Sequence, residues 1–205
     1  MYIGIVTEIM HYCIVLREGK HVAVGDKRAQ LVAGALRLLA TQGLEGTSFA
    51  EVREVAGGSR GSTYHHFPGG KDELIAAALQ LAASRAYDAV ESARGSTPVV
   101  VLDRFVDMWR QLLSRSDQRA GCAVLAVTVA TDSETLREQT GTIFAEWRSH
   151  LASLFMDGGL DAKRANSLAA MAISSMEGAV ALARAERSME SFELVAEQLR
   201  MLATP

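Results

Sequence analysis

The sequence predicts an all-α protein of about nine helices. Alanine dominates long stretches, whereas aromatic residues make up only 6% of the chain and there are only 3 prolines, a composition that favours helix over strand. From Asp26 onwards, apolar residues recur at helical spacing, and capping residues or glycines separate the segments. We find no alternating strand pattern and no internal repeat. The apolar content of 49% is typical of a globular protein with a sizeable core.

The first 25 residues lack this periodicity. The stretch MYIGIVTEIMHYCIVL is apolar but is interrupted by Glu8 and His11, and it is shorter than the ~20 apolar residues that a membrane-spanning helix needs. It also lacks the basic region and the small-residue cleavage site of a signal peptide. We interpret residues 1–25 as an N-terminal extension of uncertain structure, consistent with a start codon placed too far upstream. A surface strand or a partner-binding arm is the alternative.

Residues 26–94 predict four helices, two long and two short. The first begins near Asp26 and ends at Gly43. The second begins at a capping box formed by Ser48 and Glu51 and ends after about two turns. The third follows Ser59 and ends at Phe67-Pro68, and the fourth runs from Lys71 to about Arg94. These four helices form the first of two predicted domains.

Residues 95–205 predict a second domain, separated from the first by the break Gly95–Pro98. Thr97 and Pro98 are typical of a helix start, and this helix extends to about Ser114. A short apolar segment, 122–131, precedes a helix that Asp132 or Ser133 caps and that reaches about Met156. Asp161 then caps the longest helix, which ends near Arg187, and an amphipathic helix ends the chain.

The two short helices over 47–67 are typical of a helix-turn-helix, because a glycine-containing turn joins them and a longer helix flanks each side. The second helix of such a motif presents its N-terminal residues to base edges in the DNA major groove. Arg60, Ser62 and His65 suit contacts with base edges, and Gly61 permits close approach. A further set suits phosphate oxygens: Thr47, Ser48, Tyr64, His66 and Lys71. Thr63 completes the predicted DNA-binding set.

The stretch TSFAEVREVAGGSRGSTYHHFPGGKDEL resembles the DNA-binding signature of TetR-type transcriptional regulators, in particular the lincomycin-efflux-repressor-like (LmrA/YxaF-like) branch. The later stretches GCAVLAV, FAEWRSHLASLF and SSMEGAVALARAERS are similar to the same branch, so the resemblance covers roughly 26–202. It implies a DNA operator, a small-molecule effector, homodimerisation and repression. The sequence departs from the family pattern at Arg53, Gly58 and Thr63; Thr63 stands where Leu or Ile is usual.

Two other functions are compatible with some of the polar residues of this chain. The tandem His65-His66 is compatible with a metal site, but adjacent helical residues point about 100° apart and no further ligand stands at metal-binding spacing nearby. A catalytic pair of Cys122 with a histidine is the other candidate, although a lone cysteine in an apolar run is usually a small buried hydrophobe. We therefore predict no catalytic residue, no metal and no cofactor. A polar helix without function is the third alternative, but it does not explain why the capping box, the glycine turn, the Arg, Tyr and His side chains and the Gly-Gly-Lys run occur together.

The second domain is predicted to hold a ligand and to dimerise. Large apolar side chains on three of its helices suit an adaptable pocket, with Arg148 as a polar anchor: Phe105, Met108, Trp109, Phe144, Trp147, Met171 and Met176. The helix over 161–187 is rich in Ala, Ser and Gly around an apolar stripe, and the final helix is amphipathic. The resemblance implies that these two helices pair with their copies in a homodimer.

Charge and cysteine content limit these functions. Residues 26–94 hold eight Lys/Arg against eight Asp/Glu, so DNA binding must rest on a local patch. Two cysteines are too few for a disulfide framework, which favours the cytoplasm. We expect a DNA-binding regulator with an apolar effector. The alternatives are a small-molecule sensor or carrier with a weakened DNA-binding module, or an enzyme in the helical bundle.

Overall fold

The structure is a computed structural model that describes residues 27–57 and 60–204, without the side chains of Arg60 and Ser62. The predicted N-terminal extension and the predicted cap at Ser59 lie outside the described residues. Within this part of the chain there are nine α-helices and no strand, as the sequence predicts: α1 Lys27–Gln42, α2 Phe49–Ala56, α3 Arg60–His66, α4 Lys71–Glu91, α5 Pro98–Arg115, α6 Ala123–Ala130, α7 Glu134–Asp157, α8 Ala162–Glu186 and α9 Glu190–Ala203.

Helix α1 packs against α4 and α2 and forms the centre of the N-terminal half. Leu31 and Ala35 are completely buried on its inner face. Gly34 lets α2 approach closely, because a Cβ atom at this position would lie 3.1 Å from Cβ of Ala56. The tight contact between α1 and α2 therefore requires a very small residue at position 34.

The capping box predicted for α2 is confirmed. The Ser48 hydroxyl accepts from the backbone N–H of Glu51 at 3.3 Å, and the Glu51 carboxylate accepts from the N–H of Ser48 at 2.8 Å. These two bonds satisfy N–H groups that would otherwise be unpaired at the helix start. Gly57 then ends α2 with a φ of 67°, which a non-glycine residue rarely adopts.

Helix α4 ends at Glu91, three residues before its predicted end. The chain tightens after this point, since the N–H groups of Ala93 and Arg94 bond three residues back, to Val90 and Glu91. Such short-period bonds are common in the last turn of a helix and are not visible in an apolar pattern. The helix packs against α1, α5 and α7, so it connects the two halves of the molecule.

The C-terminal half is a bundle in which α8 packs against α5, α7 and α9. The predicted cap of α8 is confirmed: Oδ1 of Asp161 accepts from the N–H groups of Lys163 and Arg164, each at 3.0 Å. Thr97 and Ser133 stand at the N-cap positions of α5 and α7, but neither side chain makes a capping hydrogen bond. Both helix starts are thus confirmed in place, with Pro98 in the first turn of α5 as expected, whereas the capping hydrogen bond expected of Ser133 is absent.

Helix α8 is long and apolar enough to cross a membrane by length and composition. Its buried face consists largely of alanines that pack against neighbouring helices, and Lys163, Arg164 and Glu186 lie at its two ends. A core helix of a helical bundle meets the same criterion, so this property is weak evidence for a membrane.

The Asp161 cap predicts a measurable contribution to stability. We expect D161A to lower the free energy of unfolding by about 1 kcal/mol, because it leaves two N–H groups of α8 without a partner. D161N is the matched control and should retain most of the stability, since asparagine caps as well as aspartate. Urea denaturation at one fixed protein concentration measures both variants; equal losses would show that charge, and not capping, is responsible.

Candidate nucleic-acid interface and internal cavity

Helices α2 and α3 meet as a helix-turn-helix, with one face packed and the other exposed. Thr63 and Phe67 are completely buried, whereas Tyr64 has 54% of its surface exposed and His65 also faces solvent. The Tyr64 ring contacts the edge of Phe49 on α2, with centroids 5.1 Å apart. The exposed face of α3 is therefore polar, and its orientation is held by contacts with α2 and by the buried Phe67.

The end of α3 is anchored to α1. The guanidinium carbon of Arg28 lies 5.1 Å from the centre of the Phe67 ring, a distance at which a cation is attracted to an aromatic face. Nζ of Lys27 donates to the carbonyl of Ala56 at 3.0 Å, at the end of α2. The end of α2 and the residue that follows α3 are thus both held by side chains from the first turn of α1.

Several residues of the predicted DNA-binding set have structural partners. Thr47 is buried, and its hydroxyl donates to the carbonyl of Gly43 at 2.8 Å. This burial does not fit the phosphate contact predicted for Thr47. The burial of Thr63 likewise makes it a core residue of the motif instead of a reader of base edges. Nζ of Lys71 donates to the carbonyl of Leu44 at 2.9 Å, which leaves two of its three N–H bonds for another acceptor.

The predicted set therefore divides into an exposed group and a packed group. Tyr64 and His65 are exposed and His66 is half-buried. The rings of His65 and His66 lie 5.4 Å apart and at 65° to each other. Among residues 27–57 and 60–204, no three His, Cys, Asp or Glu side chains are grouped as a metal site would require.

The cavity with the more extensive lining, here called the main cavity, has a volume of about 220 Å³ and lies between the two halves of the molecule. Its wall includes residues of α1, α4, α5, α6, α7 and α8, so both halves contribute to it. Four of the predicted ligand-binding residues lie on this wall: Phe105, Met108, Trp109 and Trp147. The lining is predominantly apolar and aromatic, as is usual for small-molecule sites.

The other four predicted ligand residues lie elsewhere. Phe144 and Arg148 line a second cavity beside the first. Met171 projects from α8 to the surface with 47% of its area exposed, and Met176 is completely buried in the core. Neither methionine lines either cavity. Helical spacing indicates which face of a helix carries apolar residues, but it does not indicate what that face meets.

Sequence reasoning missed the polar residues on the wall of the main cavity, among them Tyr87, His150 and Glu177. The rings of Tyr87 and His150 are stacked, with centroids 3.6 Å apart. Glu177 lines both cavities. A signal for it exists in the sequence, since Glu177 is the only charged residue of α8 between Arg164 and Arg184.

The Glu177 carboxyl is buried, and neither oxygen has a hydrogen-bond partner in the described part of the chain. Burial raises the pKa of Glu177 to about 7, and the neighbouring Cys122 thiol opposes this shift only in part. Burial also raises the pKa of Cys122 well above its usual value, and the charge of Glu177 adds to this effect. The thiol therefore stays protonated, which is unfavourable for a nucleophile.

Two further polar groups near the cavity are poorly satisfied. The indole N–H of Trp109 is buried without a partner in the described residues, whereas that of Trp147 donates to the carbonyl of Ala83 at 3.3 Å. Nε2 of His150 lies 3.2 Å from a carboxylate oxygen of Glu91 without forming a hydrogen bond. Burial lowers the pKa of His150, and the Glu91 charge opposes this shift.

The buried Glu177 predicts a distinct pH dependence of stability. In the folded protein the pKa of Glu177, about 7, exceeds the ordinary value of 4.5. The contribution of the neutral carboxyl group to the free energy of unfolding is therefore fully present below pH 4.5, and it is lost as the pH rises through 7. At pH 8 the ionised group should cost up to about 3 kcal/mol. We expect E177Q to match wild type at pH 5 and to unfold at higher urea at pH 8.

Comparison of wild type with E177Q isolates the contribution of Glu177 to stability. His150 titrates with the opposite sign, because its lowered pKa removes stability as pH falls below 6.5, but it is common to both proteins. E146Q, at an exposed position of α7, is the matched control and should follow wild type at both pH values. A stability difference that is equal at pH 5 and pH 8 would contradict the assignment.

Comparison with known proteins places this arrangement in a family. Residues 31–78 match the family described as bacterial regulatory proteins, tetR family, and residues 98–198 match the C-terminal domain of LmrA/YxaF-like transcriptional regulators. The uncharacterized HTH-type transcriptional regulator Rv0196 of Mycobacterium tuberculosis is 35% identical over 182 residues, which cover 85% of this chain and 93% of the relative. The uncharacterized HTH-type transcriptional regulator YxaF of Bacillus subtilis is 28% identical over 182 residues, which cover 87% of this chain and 95% of the relative.

The fold agrees with these matches. A crystal structure of a TetR transcriptional regulator from Legionella pneumophila superposes with a TM-score of 0.77 over 88% of this chain and 98% of that chain, at 19% identity. Regulators of this family bind DNA operators and dimerise. The chain belongs to the tetR family of bacterial regulatory proteins and is a DNA-binding transcriptional regulator.

Proposed function

We propose that the protein is a cytoplasmic, homodimeric repressor that leaves a pseudo-palindromic operator when a small apolar effector enters the main cavity. The observation that carries the proposal is the cavity itself, because α1 and α4 of the DNA-binding half form part of its wall. A molecule bound there contacts α1, which packs against both α2 and α3, and α4, which packs against α1. Repression follows from the family resemblance, and the cytoplasmic location follows from the low cysteine content.

In the proposed complex, α3 lies in the major groove. Arg60, Ser62 and His65 contact base edges, and Gly61 has no atom within 4 Å of the place where a Cβ would stand, so the backbone is open to close approach. Tyr64, His66 and Lys71 contact phosphates, together with the remaining donor of Ser48. Because residues 26–94 carry no excess of positive charge, affinity rests on these few contacts, doubled by dimerisation.

The proposed dimer interface consists of the outer faces of α8 and α9. Both helices expose large apolar side chains at helical spacing: Met171 and Leu182 on α8, and Leu194, Met201 and Leu202 on α9. Exposed apolar groups concentrated on two adjacent helices are typical of a buried interface. A two-fold axis through this interface places the two α3 helices on two half-sites separated by about one helical turn, or a multiple of it.

Hydrogen bonds from the C-terminal half to carbonyls of α1 and α4 connect the two halves beside the cavity. The N–H of Gly121 donates to the carbonyl of Ala40 on α1 at 2.8 Å. On α4, the carbonyls of Ala76 and Ala83 accept from Gln139 and Trp147 of α7. An effector that displaces α6 or α7 therefore acts directly on α1 and α4, and it changes the distance between the two α3 helices of the dimer.

The effector acts by shifting a population between two states of the dimer. The free protein occupies the state with the operator-compatible spacing, and the effector binds the other state more tightly. A useful release of DNA requires that the effector discriminate between these states by ~3 kcal/mol or more.

A gel shift on the intergenic DNA upstream of the protein's own gene tests operator binding. R60A should weaken binding by about 1–3 kcal/mol and relax the preference at one base position. R115A removes one positive charge from an exposed position at the end of α5 and is the matched control, with binding unchanged. If R60A binds the operator as tightly as wild type does, the proposed role of Arg60 is wrong. If wild type gives no shifted band even at low salt, the operator proposal is wrong.

The dimer interface has its own test. L182E places a charge in the centre of the proposed interface, so we expect a monomer by light scattering and a large loss of operator affinity. V129E adds the same charge to an exposed apolar residue of α6, outside the interface, and should remain a dimer. A dimeric L182E protein would show that subunits pair through another surface.

A further inference from the structure

The wall of the main cavity is apolar except for a few groups, and the Glu177 carboxyl is the one that the protein leaves least satisfied. Both oxygens are buried, and no residue in the described ranges forms an ion pair or a hydrogen bond with them. Removing a carboxylate from water without a partner is costly, so buried carboxylates normally have a cation or several donors beside them. In the described part of the chain, the weak donor of the Cys122 thiol is the one group that offsets part of this cost.

The charged residues on the cavity wall come from different helices according to their sign. Glu177 enters from α8, which packs mainly against α5, α7 and α9. Arg37 and Arg85 enter from α1 and α4, and both are half-buried at the wall. Arg85 has an interaction partner within the protein, and the long side chain of Arg37 can carry its guanidinium group to water, whereas the short, buried carboxyl of Glu177 has no such route.

The surroundings of Glu177 also suit a cation. Trp109, Phe105 and Tyr87 lie on the same cavity wall, and aromatic faces attract cations that have been removed from water. A protonated amine in the cavity would donate to the carboxylate, and its apolar part would occupy the space towards α1 and α4. The second cavity gives Glu177 no counter-charge, since Arg148, which lines it, forms no ion pair with the carboxylate.

From this arrangement we infer that the effector is an apolar amine, bound as a monocation, with its ammonium group on the Glu177 carboxylate. The inference rests on the proposed effector role of the cavity and specifies the chemistry of its ligand. Glu177 thus acts as the specificity determinant that separates amines from neutral and anionic molecules of the same shape. The ion pair also gives the buried carboxylate the partner that the protein itself does not provide.

Three probes of matched shape test the inference on the DNA-free protein: 4-phenylbutylamine, 4-phenylbutan-1-ol and 4-phenylbutanoate. Titration calorimetry at pH 7 should give an affinity for the amine that exceeds that for the alcohol by roughly 10-fold or more, as expected of a charge-assisted hydrogen bond. In E177Q the amine should lose this advantage while the alcohol binds as before. E146Q is the control and should retain the wild-type ratio.

A second readout distinguishes ion pairing from a merely structural role of Glu177. Because binding of a cation favours the ionised carboxylate, the amine should release about half a proton at pH 7. This release is measured by calorimetry in two buffers of different ionisation enthalpy, and it should be absent for the alcohol and in E177Q. An amine that binds no better than the alcohol, a preference that persists in E177Q, or tighter binding of 4-phenylbutanoate would each overturn the inference.

The operator gel shift separates this inference from the proposed function. We expect the amine to release DNA from wild type at a lower concentration than the alcohol does. With E177Q, the amine and the alcohol should release DNA at equal concentrations. A protein that binds no operator contradicts the proposed function but leaves the calorimetric result intact. A protein that binds the operator and shows no preference for the amine contradicts only the inference.

Discussion

The packing of helix α1 between two groups of helices is the constraint on which the rest of the structure depends. Its buried face, with Leu31 and Ala35, supports α2 and α4, and its last turn accepts a hydrogen bond from Gly121 at Ala40. The packing of α1 therefore connects the wall of the cavity with both helices of the helix-turn-helix.

The same region contains two features that reduce stability. An apolar cavity lacks contacts on one side of every atom that lines it, and the buried carboxylate of Glu177 has no counter-ion among the described residues. Both features reduce the stability of the bundle. Sites that bind a ligand commonly depart from good packing and from charge pairing in this way, and the loss is offset by the rest of the core. In this chain that core is extensive, since α5, α7, α8 and α9 bury apolar residues on continuous faces.

The helices were predictable because their signals are local. The capping box of Ser48 and Glu51 and the cap at Asp161 are formed by residues within one turn of each other, and both are confirmed. The end of α4 differs from its prediction, since a tightened last turn has no apolar signature. The candidate ligand site was only half predictable: Trp109 and Trp147 line the main cavity, whereas Met171 faces outwards. The residues that line this cavity come from positions between 33 and 177, and no local pattern records such distances.

The sequence by itself determined the helical class, the order of the helices and the helix-turn-helix, because apolar periodicity, caps and glycine turns act over a few residues. Only the tertiary structure decided which side chains remain available for binding. It placed Thr47 and Thr63 inside the motif and left Tyr64 and His65 exposed. It also brought Tyr87, His150 and Glu177 from α4, α7 and α8 to one cavity. The physical reason is that burial, and with it the pKa of Glu177, is a property of the assembled helices and not of any single one.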